Sequence, residues 1–217
     1  MKDNEYKEVK IGPSSYQIPN SWQVNKVENI INIKNGYAFK SKDYIEDGIP
    51  LVRVINVNEN NDIVFEKEVK YLPKKYLEKY SKYVLKRNDI LLVMVGASTG
   101  KIGKIDSKIL PALLNQNMWN LKPKNKKVNK LFFYYLIKKE IGRFLKNKIG
   151  SARSYIKKKD FNSFLIPIPP KNEQKKIAKI LSKIDTKIQK EKKYKEKLER
   201  LKKGLMQKLL TGKIRVN

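Results

Sequence analysis

The apolar positions of this chain follow two different rules. Up to about residue 170 they come in short runs bounded by Gly, Asn or Pro; beyond it they recur singly, three or four residues apart, on a lysine-rich background. The runs at Ile49–Val57, Asp89–Val95, Lys101–Asp106, Met118–Lys122 and Phe164–Ile168 are rich in Val, Ile and Leu and predict strands. Pro73–Lys79 and Asn129–Leu145 predict helices. In the second, Leu131, Tyr134, Tyr135 and Lys138 recur at helical spacing, and a further short helix is expected after Lys158. Mixed elements without internal repeats predict an α+β domain over residues 1–170, built on a curved, mostly antiparallel sheet. Trp22, Trp119 and the aromatics Phe132, Phe133, Tyr134, Tyr135 and Phe144 are expected in its core rather than on a base-stacking platform.

The second rule begins at Ile166-Pro-Ile-Pro-Pro170. Pro169 and Pro170 lack a backbone donor and belong before or in a first helical turn, where Glu173 then complements the helix N-terminus. No further proline follows before Leu210, and Gly204 is the one internal weak point, so 171–210 is expected to form a single rod, about 57 Å long from Glu173 to Leu210, with 211–217 as a tail. Ile177, Leu181, Ile184 and Ile188 repeat with heptad spacing. After a polar gap at Glu191 and Lys195 the stripe resumes at Leu198, Leu201, Leu205 and Leu209. So narrow a stripe suits one partner helix. An amphipathic helix lying on its own domain is the alternative, but a domain of about 170 residues spans only a little over roughly 30 Å.

Charge sets the class of partner. The chain has 50 Lys and Arg against 21 Asp and Glu, a formal net charge of +29. From Lys171 onward there are 17 basic and 5 acidic residues, and before it 33 and 16, so both parts are cationic. Compositional bias accounts for Lys over Arg, 44 to 6, but not for the shortage of acids. A polyanion met by the whole molecule is the expected partner, nucleic acid ahead of an acidic membrane surface. No run reaches the ~20 apolar residues of a membrane span, and the N-terminus lacks a signal-peptide core, which predicts a cytoplasmic protein without membrane contact.

Cysteine and histidine are both absent, which removes disulfides, thiol chemistry, zinc fingers and His-dependent triads, and no cofactor or metal site is expected. Gly96-Ala-Ser-Thr-Gly-Lys101 imitates a phosphate-binding loop, but three residues rather than four separate its glycines, and Ile102 stands where a magnesium-binding hydroxyl is needed. Asp62 with Glu68-Val-Lys70 is the nearest approach to a nuclease carboxylate cluster. Yet Glu-x-Lys also occurs at Glu5, Glu8, Glu173 and Glu191, as chance predicts in so lysine-rich a chain. With no methyltransferase Asn-Pro-Pro-Tyr or Asp-Pro-Pro-Tyr either, the chain reads as a binder without catalytic chemistry.

Several segments in order, Asn35-Gly-Tyr-Ala-Phe-Lys-Ser41, Gly48-Ile-Pro-Leu-Val-Arg53, Asn88-Asp-Ile-Leu91, Gly100-Lys-Ile-Gly103, Leu114-Asn-Gln116 and Gly150-Ser-Ala-Arg153, resemble a target-recognition domain. Ile166-Pro-Ile-Pro-Pro170, Glu173-Gln174, Ile177-Ala-Lys-Ile-Leu181 and Leu209-Leu-Thr-Gly-Lys213 resemble the spacer helix of the same proteins, the DNA specificity subunits of type I restriction-modification systems. The resemblance runs from about Ile18 to Val216. It implies sequence-specific binding of double-stranded DNA on behalf of a methyltransferase subunit that modifies adenine N6 and a restriction subunit that moves along and cuts unmodified DNA. Such subunits usually carry two recognition domains and two spacer helices, whereas this chain has one of each. Its Met start and Thr-Gly-Lys end read as a complete half-subunit. Two copies would pair their rods antiparallel as a homodimer, or one would pair with another specificity subunit, and the target would be two short inverted elements around an unread spacer.

Residue types then suggest contacts. Lys40, Ser41, Lys101, Ser151 and Arg153 lie in Gly- or Ser-containing loops suited to phosphates. Arg53, Asn56, Asn115, Gln116 and Asn117 have the groups that read guanine or adenine edges, and Ser98 and Thr99 suit either role. Motifs shared by proteins that read different sequences are expected to hold loops or meet phosphates more than to read bases. The discriminating residues are therefore also sought in 57–70 and 154–159. The rival reading is a nonspecific binder of single-stranded DNA or RNA, for which basic grooves and stacking aromatics suffice.

Overall fold

The computed structural model describes residues 5–58, 60–65, 68–124, 128–147 and 155–216. The chain divides into two compact units, Met1–Gln174 and Lys175–Asn217.

Unit one opens with a hairpin, β1 (Tyr6–Ile11) and β2 (Ser14–Pro19), followed by β3 (Gln23–Lys26), the single turn α1 (Val27–Ile30) and β4 (Ile31–Asn35). Then come β5 (Ile49–Val52), β6 (Lys70–Leu72), α2 (Tyr76–Lys79), β7 (Ile90–Val93), β8 (Ile102–Lys104), β9 (Leu113–Leu114) and β10 (Met118–Pro123). The helices α3 (Lys130–Asn147) and α4 (Lys158–Ser163), strand β11 (Leu165–Ile168) and the 40-residue helix α5 (Lys171–Leu210) complete the order. The class is α+β, but the strands are shared among four small sheets rather than one. The largest runs β4-β10-β7-β8, antiparallel throughout; β6-β5-β9 contains one parallel pair, and β11-β3 and β1-β2 are two-stranded.

The sheets are placed by what they bury. All four residues of β7 are buried, so this central strand reads as a continuous apolar run. Val52, Leu91, Val93, Leu114 and Met118 form one cluster with Val57 and Ile63, and Phe39, Leu51, Leu72, Tyr76 and Leu113 form another. Helix α3 buries Phe132, Phe133, Leu136, Ile137, Glu140, Ile141 and Phe144. The expected spacing through Leu131, Tyr134, Tyr135 and Lys138 therefore marks a flank of this helix: Leu131 and Lys138 are exposed, and the two tyrosines are half-buried. Trp119 is buried against Phe161 of α4, as expected for a core residue, whereas Trp22 is half-buried and donates its indole N–H to Glu173 Oε2 at 3.0 Å.

One ion pair lies inside this core. Glu140 is 3% exposed and pairs with Arg143, whose Nη2 also donates to the Leu165 carbonyl at 2.7 Å. The guanidinium sits over the rings of Tyr16 and Phe164, at 5.2 and 4.9 Å from their centroids. Burial pushes the Glu140 carboxyl up from its ordinary value, and the Arg143 charge pulls it back.

Helix α5 starts where its sequence signals place it. Gln174 fixes the first turn: its Nε2 donates to the Pro169 carbonyl at 2.9 Å and its Oε1 accepts from Asn129 N at 2.8 Å. In unit two the helix continues unbroken to Leu210, about 60 Å in all at ~1.5 Å per residue. Ile184, Ile188, Leu198, Leu201, Leu205 and Leu209 of the stripe led by Ile177 and Leu181 are 41 to 58% exposed. No described helix is long and apolar enough to cross a membrane.

Candidate nucleic-acid interface

Four loops meet at one end of the β4-β10-β7-β8 sheet, held to one another by backbone hydrogen bonds. Asn115 N donates to the Val52 carbonyl and Gln116 N to the Tyr37 carbonyl, at 3.0 and 2.9 Å. Gly36 N donates to the Met118 carbonyl and Met94 N to that of Asn117, both at 3.1 Å. The β9–β10 turn thus lies between the loop after β4 and the end of β5, and also touches the start of the β7–β8 turn. Gly36 makes this possible: a Cβ there would stand 1.8 Å from the Asn115 carbonyl oxygen. Residues 155–156 join the same edge through Ile156 N to the Met94 carbonyl at 2.8 Å.

Most of the expected contact residues are brought together here. Gln116 and Asn117 are exposed at the tip of their turn, Asn117 in the left-handed region at φ 70°. Asn115 is half-buried, and its Oδ1 accepts the Gln116 N–H at 2.6 Å. Ser98, Thr99 and Lys101 are half-buried in the β7–β8 turn, where Thr99 Oγ1 donates to the Gly96 carbonyl at 2.6 Å. Gly96 and Gly100 take φ values of 83° and 91°, and strand β8 follows where a phosphate-binding loop would need a helix. Lys40 and Ser41 are exposed just beyond the Gly36–Phe39 crossing.

Two residues are placed differently. Asn56 is 1% exposed, and its Oδ1 accepts from Arg53 N at 2.9 Å, so its amide holds a turn instead of facing outward. The Arg53 guanidinium donates to the Glu68 carbonyl and lies 3.8 Å from the Glu68 carboxylate. Ser151 and Arg153 lie outside the described residues.

Sequence reading missed a nest of aromatic rings behind this edge. Tyr37 lies 4.8 to 5.0 Å from Phe39, Tyr80 and Tyr83, and Tyr76 lies 4.8 Å from Tyr80. Lys79 Nζ stands over the rings of Tyr76 and Tyr80. Burial, followed by the Asp43 carboxylate, raises the Tyr76 phenol; burial and a side-chain hydrogen bond to Tyr37 raise that of Tyr80. The spacing of Tyr76, Tyr80 and Tyr83 was the available signal, but its partners come from residues 37–39, about forty positions away. At the opposite end of the sheet a cavity of about 650 Å³ is lined by Lys86, Arg87, Lys104, Lys122, Lys124 and Lys130. Its buried acid, Asp89, is already held by Lys122 at 2.9 Å and by Asn120 Nδ2 at 2.6 Å.

Comparison with known proteins identifies the family. A family model described as the type I restriction modification DNA specificity domain matches residues 19–200. The type I restriction enzyme MjaVIII specificity subunit of Methanocaldococcus jannaschii is 36% identical, over 100% of this chain and 51% of that protein. This chain belongs to the type I restriction-modification DNA specificity family. The type I restriction enzyme EcoBI specificity subunit of Escherichia coli is 27% identical over 91% of this chain and 40% of its own length. The fold matches the HsdS subunit from Thermoanaerobacter tengcongensis, with a TM-score of 0.57 and 19% identity over 88% of this chain and 45% of that one. It also matches the S subunit from M. genitalium, with a TM-score of 0.56 over 87% and 46%. The chain spans about half the length of the curated relatives it matches.

Within this specificity-family chain, several of the segments that carry the resemblance are architectural. Gly36 lies on Asn115, a Cβ at Gly48 would meet the Leu72 carbonyl at 2.4 Å, and one at Gly103 would meet Ile63 Cδ1 at 2.2 Å. Asn88 supplies a positive φ of 65° beside the buried Asp89.

Proposed function

We propose that this chain is a sequence-specific DNA-recognition half-subunit of a type I restriction-modification complex. It works in the cytoplasm with methyltransferase and restriction subunits, which carry out adenine-N6 methylation and cleavage while the chain itself supplies no catalysis. Family membership over residues 19–200 carries the reading, and two structural features support it. The first is the gathering of Gln116, Asn117, Ser98, Thr99, Lys101, Lys40 and Ser41 at one edge of unit one. There Gln116 and Asn117 are the side chains best presented to base edges, with lysines and hydroxyls beside them for phosphates. The second is the uncovered apolar stripe of α5, which suits pairing with an identical helix or with that of another specificity subunit.

Two paired half-subunits would present two recognition units in inverted orientation, so the target is a bipartite inverted repeat. The test is genome-wide detection of N6-methyladenine in cells expressing the chain with its cognate methyltransferase subunit. A gained bipartite palindrome is expected. An asymmetric motif indicates a different second specificity subunit, and no motif from an assembled complex returns the reading to nonspecific nucleic-acid binding.

The paired helices also act as a ruler. A seven-residue insertion within 190–197 lengthens each helix by about 10 Å. At ~3.4 Å per base pair, the unread spacer is expected to grow by about three base pairs. An unchanged spacer in the methylated motif removes the ruler from the mechanism.

A further inference from the structure

The cavity at the far end of the β4-β10-β7-β8 sheet lies away from the surface assigned to DNA. Along β10 its wall begins at Leu121, four residues from Asn117 at the loop edge, or about 13 Å at ~3.3 Å per residue. Ile90, Leu121, Val128 and Phe133 make an apolar floor, each no more than 4% exposed. Leu131, 38% exposed, and the half-buried Tyr134 line it too, one turn apart on α3. They belong to the flank of α3 that its sequence pattern marks out and that the core leaves uncovered.

The rim carries Lys86, Arg87, Lys104, Lys122, Lys124 and Lys130 against one described acid, Asp89. Asp89 is already held, by Lys122 at 2.9 Å, by Asn120 Nδ2 at 2.6 Å and by Lys86 N, which donates to Oδ2 at 3.0 Å. With Lys122 engaged there, five of the six cations remain. Lys104 Nζ stands 5.7 Å from the Tyr134 ring centroid and Lys124 Nζ donates to the Glu28 carbonyl at 3.2 Å, and these neutral groups leave both charges uncompensated. No described carboxylate forms an ion pair with Lys86, Arg87 or Lys130. Arg87 acts on Asp106 only at longer range, and that carboxylate accepts the Lys108 N–H at 2.9 Å. Five like charges around one hollow repel one another, and a polyanion seated in it turns that repulsion into attraction.

We propose that this cavity binds a nucleoside polyphosphate, its phosphates on Lys86, Arg87 and Lys130 and its base against Leu131 and Tyr134. Three features select that chemistry. A volume of about 650 Å³ suits a small ligand and is too small for a duplex. Inorganic phosphate would satisfy the rim and leave the apolar floor bare, whereas a base covers it, because aromatic and apolar side chains accept the flat face of any base. An acidic peptide would match the charge, but the strands facing the hollow, β7 and β10, are paired on both edges, which leaves an extended peptide no main-chain ladder to join. Binding without turnover is expected, since Asp89, the one carboxylate on the wall among the described residues, is already held.

The full-length chain is titrated by calorimetry without DNA at ~0.15 M salt, with ATP as the probe and with adenosine, tripolyphosphate and hexaglutamate as its separated chemistries. ATP is expected to bind once per chain and about tenfold tighter than any of the three. The double variant Arg87→Ala/Lys130→Ala and the single variant Leu131→Asp, all at exposed positions, should each weaken ATP about tenfold, while Lys40→Ala at the loop edge should leave it unchanged. Thermal midpoints without ligand establish that the variants are folded, and ATP should raise the midpoint of the wild type but not that of the double variant. Absence of saturable ATP binding overturns the proposal. Tripolyphosphate that binds as tightly as ATP reduces the site to a cation cluster, and hexaglutamate that binds more tightly replaces the nucleotide with an acidic protein segment; either result overturns it. So does ATP that is weakened by Lys40→Ala but not by the double variant, or displaced by duplex DNA, since it then occupies the DNA surface. DNA recognition by the loop edge is tested separately by the methylation motif and survives each of these failures.

Discussion

Arg143→Ala is expected to lower folding stability by about 3–5 kcal/mol, the usual result of removing one member of a buried ion pair. The substitution strands Glu140, 3% exposed, in a core built from Phe132, Phe133, Leu136 and Phe144, and it deletes the hydrogen bond to the Leu165 carbonyl together with the cover over Tyr16 and Phe164. The loss should depend on pH. Burial holds the folded-state Glu140 carboxyl above its unfolded value near 4.5, so its ionisation opposes folding. That penalty is absent below the unfolded value and grows as pH rises through the raised folded one. Without Arg143 the folded value rises further and the window widens, so the variant should lose most near neutral pH and less toward pH 5. Urea denaturation of both proteins at pH 5 and pH 7.5 measures this. An equal loss at both would show that Glu140 is not the group left uncompensated.

Gly36→Ala should be equally damaging for a different reason. Its new Cβ would stand 1.8 Å from the carbonyl oxygen and 2.4 Å from the carbonyl carbon of Asn115, and neither atom belongs to a side chain that can rotate away. Relief requires the β9–β10 turn to separate from the Gly36 loop, which breaks the bonds from Gly36 N to Met118 and from Tyr37 N to Leu114. The cost should exceed several-fold the ~1 kcal/mol typical of point substitutions, and under the proposed role DNA recognition should fail with the loop edge. Gly142→Ala on α3 and Gly204→Ala on α5 meet nothing within 4 Å, and each should stabilise its helix by roughly 0.5–1 kcal/mol. Denaturation midpoints of the three variants make the comparison. A Gly36 variant as stable as the Gly142 one would contradict the close crossing.

Elements whose burial is written locally were legible from residue order. Ile90–Val93 is apolar on both faces because both faces are covered, and α5 announces its start with two prolines and its stripe with heptads. The strands that escaped notice include several of mixed character, since Tyr6–Ile11, Ser14–Pro19 and Gln23–Lys26 are largely polar runs in two-stranded sheets and Ile31–Asn35 buries only Ile31 and Ile33, together with the short Lys70–Leu72 and the two-residue, fully buried Leu113–Leu114, which are too brief to show a period. On α3 the tyrosines are amphipathic enough to suggest a face one position away from the one that Phe133, Ile137 and Phe144 bury. Glu140 looked like any solvated acid on a lysine-rich helix, since only its tertiary surroundings mark it as buried. In the loop edge, Gln116 and Asn117 were nameable from side-chain chemistry. The confinement of Asn56 to a turn and the ring nest around Tyr37 depend on contacts between distant segments that no local pattern encodes.

The hydrogen bonds that hold the β9–β10 turn have one consequence for how binding preference can change over generations. Its fixed attachments, Asn115 N to Val52, Gln116 N to Tyr37 and Met94 N to Asn117, use main-chain groups, which any residue but proline supplies equally well at the donor positions. Position 116 can therefore accept nearly any side chain without loosening the scaffold, while position 117, at φ 70°, favours Asn, Asp or Gly. Under the proposed role, a single nucleotide change at codon 116 would alter what the turn reads while the fold stays intact. Such a protein can drift to a new target in one step, and a selection on libraries at this one codon would show how far.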